Sequence, residues 1–230
     1  MNKYGILGWP LERSYSPIIH TFLLKHASIE GNYELIKLNE INNKNIDHIN
    51  NNYSGYNITI PYKEKILEVS EGAHLDVHVE KIGSVNTVKN KDGITSFHNT
   101  DYLGFLNFLE IINFNPEGRT IMTLGSGGSS KAIKYALNLM NAETTIVSRT
   151  NKVEAISYQD LNERANEVDV LINTTPIGMP PYENETLDIN IENFNNLELV
   201  MNIGYGPNNN FLTLFKDQIQ KFDAYGMLIC

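Results

Sequence analysis

Polar clusters in the first half of the chain stand where apolar runs end, and their side chains could do chemistry. Ser14-Tyr15-Ser16-Pro17 sets two hydroxyls beside a helix start, with Pro17 suited to the first turn and Ser16 to the cap before it. Asn57-Ile58-Thr59-Ile60-Pro61-Tyr62-Lys63 alternates polar and apolar residues, so Asn57 and Thr59 project from one side of an extended segment. Asn86-Thr87 and Asn99-Thr100-Asp101 flank a hairpin marked by Asp92-Gly93. Taken singly, these are ordinary caps, turns and edge-strand groups. Together they offer hydroxyls, amides, the Lys63 ammonium and the Asp101 carboxylate, a set suited to a small polyhydroxylated substrate rather than an apolar one.

A different chemistry is written at Gly125-Ser126-Gly127-Gly128-Ser129-Ser130, which fits G-x-G-x-x-small. Gly125 permits a tight turn, Gly127 lets backbone amides approach a pyrophosphate, and the small Ser130 lets helix and strand pack closely. A helix N-terminus adds amide donors and a partial positive charge. The bare pattern is weak, but here it follows a strand and opens a helix, so a dinucleotide is expected. An NAD site usually carries a carboxylate about 20 residues after the glycines, on the ribose 2′-hydroxyl. This chain has Ser148-Arg149-Thr150-Asn151-Lys152 there, with no carboxylate before Glu154. Arg149 can grip a 2′-phosphate in a bidentate fork, with Ser148, Thr150 and Lys152 adding donors or charge, so NADP is expected over NAD.

These groups need a scaffold to position them. The first half alternates short strands and helices: strands at 4–7, 32–38, 55–60, 84–89 and 94–97, and helices after Pro17 and over 63–69. The second half changes rhythm. A helix over 102–112 precedes short buried-type strands at 120–124, 144–147, 168–173 and 198–203, with a helix running from the glycines through Met140. Strand, glycine turn, helix, strand is the βαβ unit of a doubly wound parallel fold. The expected architecture is α/β with two domains, 1–101 and 102–230.

Composition narrows the class further. The 230 residues carry 18 Lys plus Arg against 27 Asp plus Glu, a net charge of −9. Residues 1–101 have 10 basic and 12 acidic side chains and residues 102–230 have 8 and 15, so the second half holds most of the excess. With no basic run, nucleic acid and anionic membrane are poor partners. Cys230 is the only cysteine, which excludes an intrachain disulfide and Cys-based metal sites; no metal is expected. No apolar stretch approaches the ~18 residues of a membrane span, and the N-terminus lacks a signal-peptide pattern, so a cytoplasmic protein is expected. The 31 asparagines interleave with Ile, Leu and Phe in periodic segments, which reads as surface bias rather than disorder.

Read in order, these segments resemble the shikimate dehydrogenase family. The matching stretches are Ser14–Pro17, Asn57–Glu64, Gly83–Thr87, Asn99–Asp101, Gly125–Ser130, Ser148–Thr150, Asn173-Thr174-Thr175-Pro176-Ile177-Gly178-Met179 and Gly226-Met227-Leu228, spread over almost the whole chain. The resemblance implies NADP-linked interconversion of 3-dehydroshikimate and shikimate on the route to chorismate and the aromatic amino acids. It implies a substrate-binding and catalytic domain over 1–101 and a Rossmann-like NADP domain over 102–230. Lys63 and Asp101 would be the catalytic pair. Ser14 and Ser16 would hold the substrate carboxylate, with Asn57, Thr59, Asn86, Asp101 and Tyr205 completing its site. Gly125, Ser126, Gly127, Gly128, Ser129, Ser148, Arg149, Thr150, Lys152, Thr174, Ile203 and Gly226 would line the cofactor. The expected assembly is a monomer or homodimer.

The residue types suit that reaction. Ketone reduction needs a hydride and a proton for the developing alkoxide, and an ammonium stabilises that charge. A lysine is a weak acid near neutrality and a carboxylate neighbour makes it weaker, so either member of the pair remains able to carry the proton. The chain also departs from the family: Tyr62 replaces a histidine, Trp9 an asparagine, Tyr102 a glycine that leaves the cleft uncrowded, and Asn202 a frequent aspartate. The sequence stops at Cys230, about where the family places a substrate-binding Gln and then a helix returning to the first domain. Two expectations follow: a longer natural chain, or a substrate site that has lost a part, with apolar surface on residues 1–101 exposed. The competing functions are a quinate dehydrogenase and a non-catalytic NADP-binding relative.

Overall fold

The structure is a computed structural model; it describes residues 1–12, 14–150, 154–178, 182, 184–204 and 210–229. The chain divides into two units, Met1–Thr100 and Asp101–Cys230.

The first unit runs β1 (Asn2–Gly8), α1 (Ser16–His26), β2 (Gly31–Lys37), α2 (Asn43–Asn52), β3 (Gly55–Ile58), α3 (Tyr62–Lys65), β4 (His74–Leu75), α4 (Val77–Ile82), β5 (Thr87–Lys91) and β6 (Ile94–His98). Its six strands form one mixed sheet in the order β2-β1-β3-β5-β6-β4. β1 pairs in parallel with β2 and β3, and β5 runs antiparallel to both β3 and β6. The expected hairpin is present, and Asp92 and Gly93 both take positive φ, 53° and 76°, as a twist-matched two-residue turn requires. Leu7, Ile36, Tyr56, Ile58, Val88 and Phe97 bury against Ile46 and Ile49 of α2 and Val79 of α4.

Several elements differ from the sequence expectation. β3 ends at Ile58, because Thr59 turns away with its N–H on Leu7 O and its carbonyl accepting from Tyr62 N–H. α3 is a single turn rather than a helix to residue 69. Ser16 does not cap α1: Tyr15 holds that position without a side-chain cap, and Ser14 Oγ accepts from Ser16 N–H at 3.1 Å. The apolar stripe of α1 is not buried, with Ile18 and Phe22 71% and 68% exposed.

The asparagine-rich α2 was not expected at all. It forms because Asn42 and Asn45 close a reciprocal capping box. Ile41 before the cap and Ile46 after it are both buried in the same core, a hydrophobic staple.

The second unit contains α5 (Asp101–Ile111), β7 (Ile121–Leu124), α6 (Gly128–Leu139), β8 (Thr144–Val147), β9 (Ala155–Ile156), α7 (Tyr158–Arg164), β10 (Val170–Asn173), β11 (Leu199–Asn202), β12 (Gln220–Asp223) and α8 (Ala224–Ile229). All its strand pairs are parallel, in the order β12-β11-β10-β7-β8-β9. Counted along this unit, that is the 3-2-1-4-5-6 order of a doubly wound dinucleotide-binding sheet. Every residue of β7, β10 and β11 is buried, the run expected for strands covered on both faces. α7 repeats the logic of α2, with Ser157 and Asp160 closing the capping box and Leu161 fully buried behind it. Among the described residues, no helix is long and apolar enough to cross a membrane.

Candidate active site

The polar residues of the first unit collect at one end of its sheet, where β1 and β3 finish, β5 begins and β6 ends. Asn57 pairs in register with Thr87, and Thr87 with His98. Tyr56 and Ile58 point into the core, so the intervening Asn57 projects from the other face. Asn86 lies in the bend before β5 and its side chain is 8% exposed. Its Oδ1 accepts from Thr100 N–H at 2.8 Å and Thr87 Oγ1 at 2.9 Å, while its Nδ2 donates to Thr100 Oγ1 at 2.9 Å. Asn86 therefore ties β5 to the segment that leads into Asp101, the residue that follows Thr100 and opens α5. The backbone carbonyl of Lys63 accepts from Val85 N–H at 2.7 Å, which fixes Lys63 beside that bend.

Asn57 sits further back in the same network. Its Oδ1 accepts from Tyr33 Oη at 2.6 Å, and its Nδ2 donates to Asn86 O and Thr87 Oγ1 at 3.3 and 3.2 Å. Both amide hydrogens are thus committed to protein oxygens, which makes Asn57 a brace for Asn86 and Thr87. The ring of Tyr33 stacks on His20 with centroids 4.3 Å apart, and burial pushes the His20 pKa down. Tyr33 and His20 are neighbours of Asn57 that the sequence alone did not reveal, since nothing local distinguishes them from packing residues. Ser14 and Ser16 stand at the start of α1, Thr59 and Lys63 follow β3, and Asp101 opens α5 in the second unit. Tyr62, which stands in place of a histidine, is 3% exposed and donates to Leu38 O at 2.7 Å; its role is to anchor α3.

In the second unit the glycine loop lies at the switch point of the sheet, between the ends of β7 and β10. Gly125 has φ 103°, and a Cβ there would meet Thr174 Oγ1 at 2.7 Å. Thr174 is itself strapped to the end of β7, with its N–H and hydroxyl both donating to Leu124 O, at 2.9 and 2.7 Å. A Cβ on Gly127 would meet nothing within 4 Å, so the loop leaves open space where a pyrophosphate needs it. Gly127 also caps α6 without a side-chain hydrogen bond, and the start of a helix carries amide donors and partial positive charge suited to an anion. Gly128 and Ser129 form the first turn of that helix and Ser130 is buried beneath it.

At the end of β8, Ser148 Oγ lies 3.1 Å from Ser126 Oγ and 3.2 Å from Thr150 Oγ1, so three hydroxyls link the glycine loop to the Arg149 segment. Arg149 is exposed and donates through Nη1 to Glu185 Oε2 at 3.1 Å. Nearby Tyr158 is held at a pKa of about 12 by burial, against the opposing charge of Arg149. The glycine loop, the helix start behind it and the Arg149 guanidinium beside the Ser148 and Thr150 hydroxyls fit NADP.

The remaining predicted residues fall in two groups. Ile203 N–H donates to Asn173 O at 2.7 Å just past β11. Gly226 lies in α8, where any Cβ would fall onto the Phe108 ring of α5, so close helix packing also requires a glycine there. Lys152 and Tyr205 lie outside the described residues. Tyr102 is buried within the second unit, edge-on to Tyr135 with centroids 5.3 Å apart. Asn202 accepts from Asn173 Nδ2 at 2.9 Å and donates to Gly204 O at 3.1 Å, a donation that an aspartate could not make.

A doubly wound parallel sheet with an open glycine cradle, joined in one chain to a mixed α/β unit, defines a two-domain protein of the Rossmann-like dinucleotide-binding class. Residues 6–88 match the family model described as "Shikimate dehydrogenase substrate binding domain". The shikimate dehydrogenase (NADP(+)) of Methanococcus vannielii is 33% identical, over 98% of this chain and 86% of that protein. Shikimate dehydrogenase 1 of Peptoclostridium difficile superposes with a TM-score of 0.84 at 26% identity, covering 100% of this chain and 88% of that one. A Thermus thermophilus shikimate 5-dehydrogenase in complex with NADP(H) and shikimate gives a TM-score of 0.81 at 26% identity, covering 99% and 89%. The chain belongs to the shikimate dehydrogenase family.

Proposed function

We infer that this chain catalyses the reversible NADP-dependent reduction of 3-dehydroshikimate to shikimate. The observation that carries this reading is Ser148-Arg149-Thr150 at the end of β8, behind an open glycine cradle, in a chain whose relatives are named for shikimate and NADP. Bound NADPH supplies the hydride. Lys63 stabilises the alkoxide that develops on the substrate, and the Lys63–Asp101 pair delivers its proton. Ser14 and Ser16 donate to the substrate carboxylate, while Thr59, Asn86 and Asp101 meet its ring hydroxyls. Asn57 holds Asn86 and Thr87 in place. Gly125 to Ser129 cradle the pyrophosphate, and Arg149, Ser148 and Thr150 take the 2′-phosphate. Residues 1–101 form the substrate domain and 102–230 the cofactor domain of a cytoplasmic enzyme.

The test is NADPH formation with shikimate and NADP, run beside quinate and NAD. Turnover that prefers shikimate and NADP supports the reading. Preference for quinate, or NADP binding with no turnover of either acid, overturns it.

A further inference from the structure

The Arg149–Glu185 ion pair bears on cofactor choice. Glu185 stands 36 residues beyond Arg149 in sequence, yet its Oε2 lies 3.1 Å from Arg149 Nη1. Glu154, which follows the Arg149 segment, is held by Lys134 at 2.9 Å, and among the described residues Glu185 is the carboxylate seen to engage the guanidinium. Glu185 is held in turn by its own backbone, whose N–H donates to Tyr182 O at 3.2 Å. Arg149 is the group that the proposed function assigns to the 2′-phosphate, and the present inference rests on that assignment.

We propose that Glu185 is a specificity-determining residue: its carboxylate occupies the Arg149 guanidinium in the cofactor-free protein and is exchanged for the 2′-phosphate when NADP binds. The two anions want the same fork of N–H donors. A phosphate monoester carries about −1.5 to −2 charge near neutrality against −1 for the carboxylate, so the phosphate wins, but only after displacing Glu185. NAD has no 2′-phosphate and does not force the exchange. Glu185 therefore lowers the preference for NADP below what Arg149 alone would give. Both side chains are substantially exposed, at 65% and 43%, which places the effect in the range of a surface pair. An exposed pair of this kind corresponds to about a two- to fivefold change in affinity.

The experiment measures dissociation constants for NADP and NAD by titration calorimetry on the wild type, Glu185→Gln, Arg149→Ala and the double variant. Glu185→Gln should raise the ratio of NAD to NADP dissociation constants about two- to fivefold, through tighter NADP binding. Arg149→Ala should collapse that ratio, and adding Glu185→Gln to it should change nothing further. An unchanged or lower ratio in Glu185→Gln, with Arg149→Ala still collapsing it, overturns the exchange and leaves the 2′-phosphate assignment standing. An equal gain from Glu185→Gln in both backgrounds also overturns it, because the effect is then simple repulsion that bypasses Arg149. A ratio that survives Arg149→Ala removes the assignment and this inference together.

Discussion

In the second unit the cradle proposed for the cofactor is made of backbone: Gly125 at φ 103°, open space over Gly127 and the start of α6. In the first unit the polar site is made of side chains from separate segments, with Asn86, Thr87, Thr100, Asn57 and Tyr33 bonded in series. A backbone site tolerates drift in its side chains but not an added Cβ. A side-chain network tolerates changes in loop shape but not the loss of one amide. The two halves of the same enzyme should therefore fail differently under mutation.

The largest expected effect is on the glycine loop. Gly125→Val would place a branched side chain at positive φ and against Thr174 Oγ1, costing about 1–3 kcal/mol in strain alone. Thermal melts should show the loss, and calorimetry should show no NADP binding. Gly127→Ala is the sharper comparison, because its Cβ meets no protein atom. Its melting temperature should stay at the wild-type value while NADP affinity falls about tenfold, the size of a ~1–3 kcal/mol overpacking penalty in the complex. A Gly127→Ala protein that binds NADP normally would break the contrast.

In the first unit, Asn86→Ala should strip Thr100 N–H of its Oδ1 acceptor and cost ~1–3 kcal/mol of stability by denaturant titration. The KM for shikimate should rise while NADP affinity holds. The smallest effect is a pH dependence. Burial lowers the His20 pKa below 6.5 in the folded protein, so the unfolded chain binds that proton more readily. His20 thus contributes stability that is complete above about pH 6.5 and is lost as pH falls through the folded pKa. His20→Phe, which keeps a ring on Tyr33, should flatten the fall in melting temperature between about pH 7 and about pH 5.

The same contrast explains what was legible in the sequence. The glycine turn between β7 and α6 could be read directly, because Gly125, Gly127 and Ser130 are specified by local backbone needs and lie close together in sequence. The lack of an acidic residue within 148–152 was equally local. The polar site of the first unit was legible only as scattered clusters, and the joint meaning proposed for them came from resemblance; Tyr33 is too distant in sequence to announce its bond to Asn57. Helices α2 and α7 were missed for a related reason. Their residues have weak helix propensity or little apolar periodicity, and what builds them is a capping box with a staple across it, Ile41-Asn42…Asn45-Ile46 and Ile156-Ser157…Asp160-Leu161. That pattern was present in the sequence and is a usable signal. Arg149 was legible as a cation just past β8, but Glu185 could enter only through the fold.

The most direct test of the division of labour between the units is Lys63→Ala, measured for shikimate turnover and, separately, for NADP affinity. On the role proposed for Lys63, stabilising the alkoxide as one member of the Lys63–Asp101 pair, its removal should lower kcat about 10²–10⁴-fold. NADP affinity should be unchanged, since the residues proposed for the cofactor belong to the second unit. A Lys63→Ala protein that turns over at the wild-type rate, or that loses activity only in step with lost NADP affinity, would contradict it.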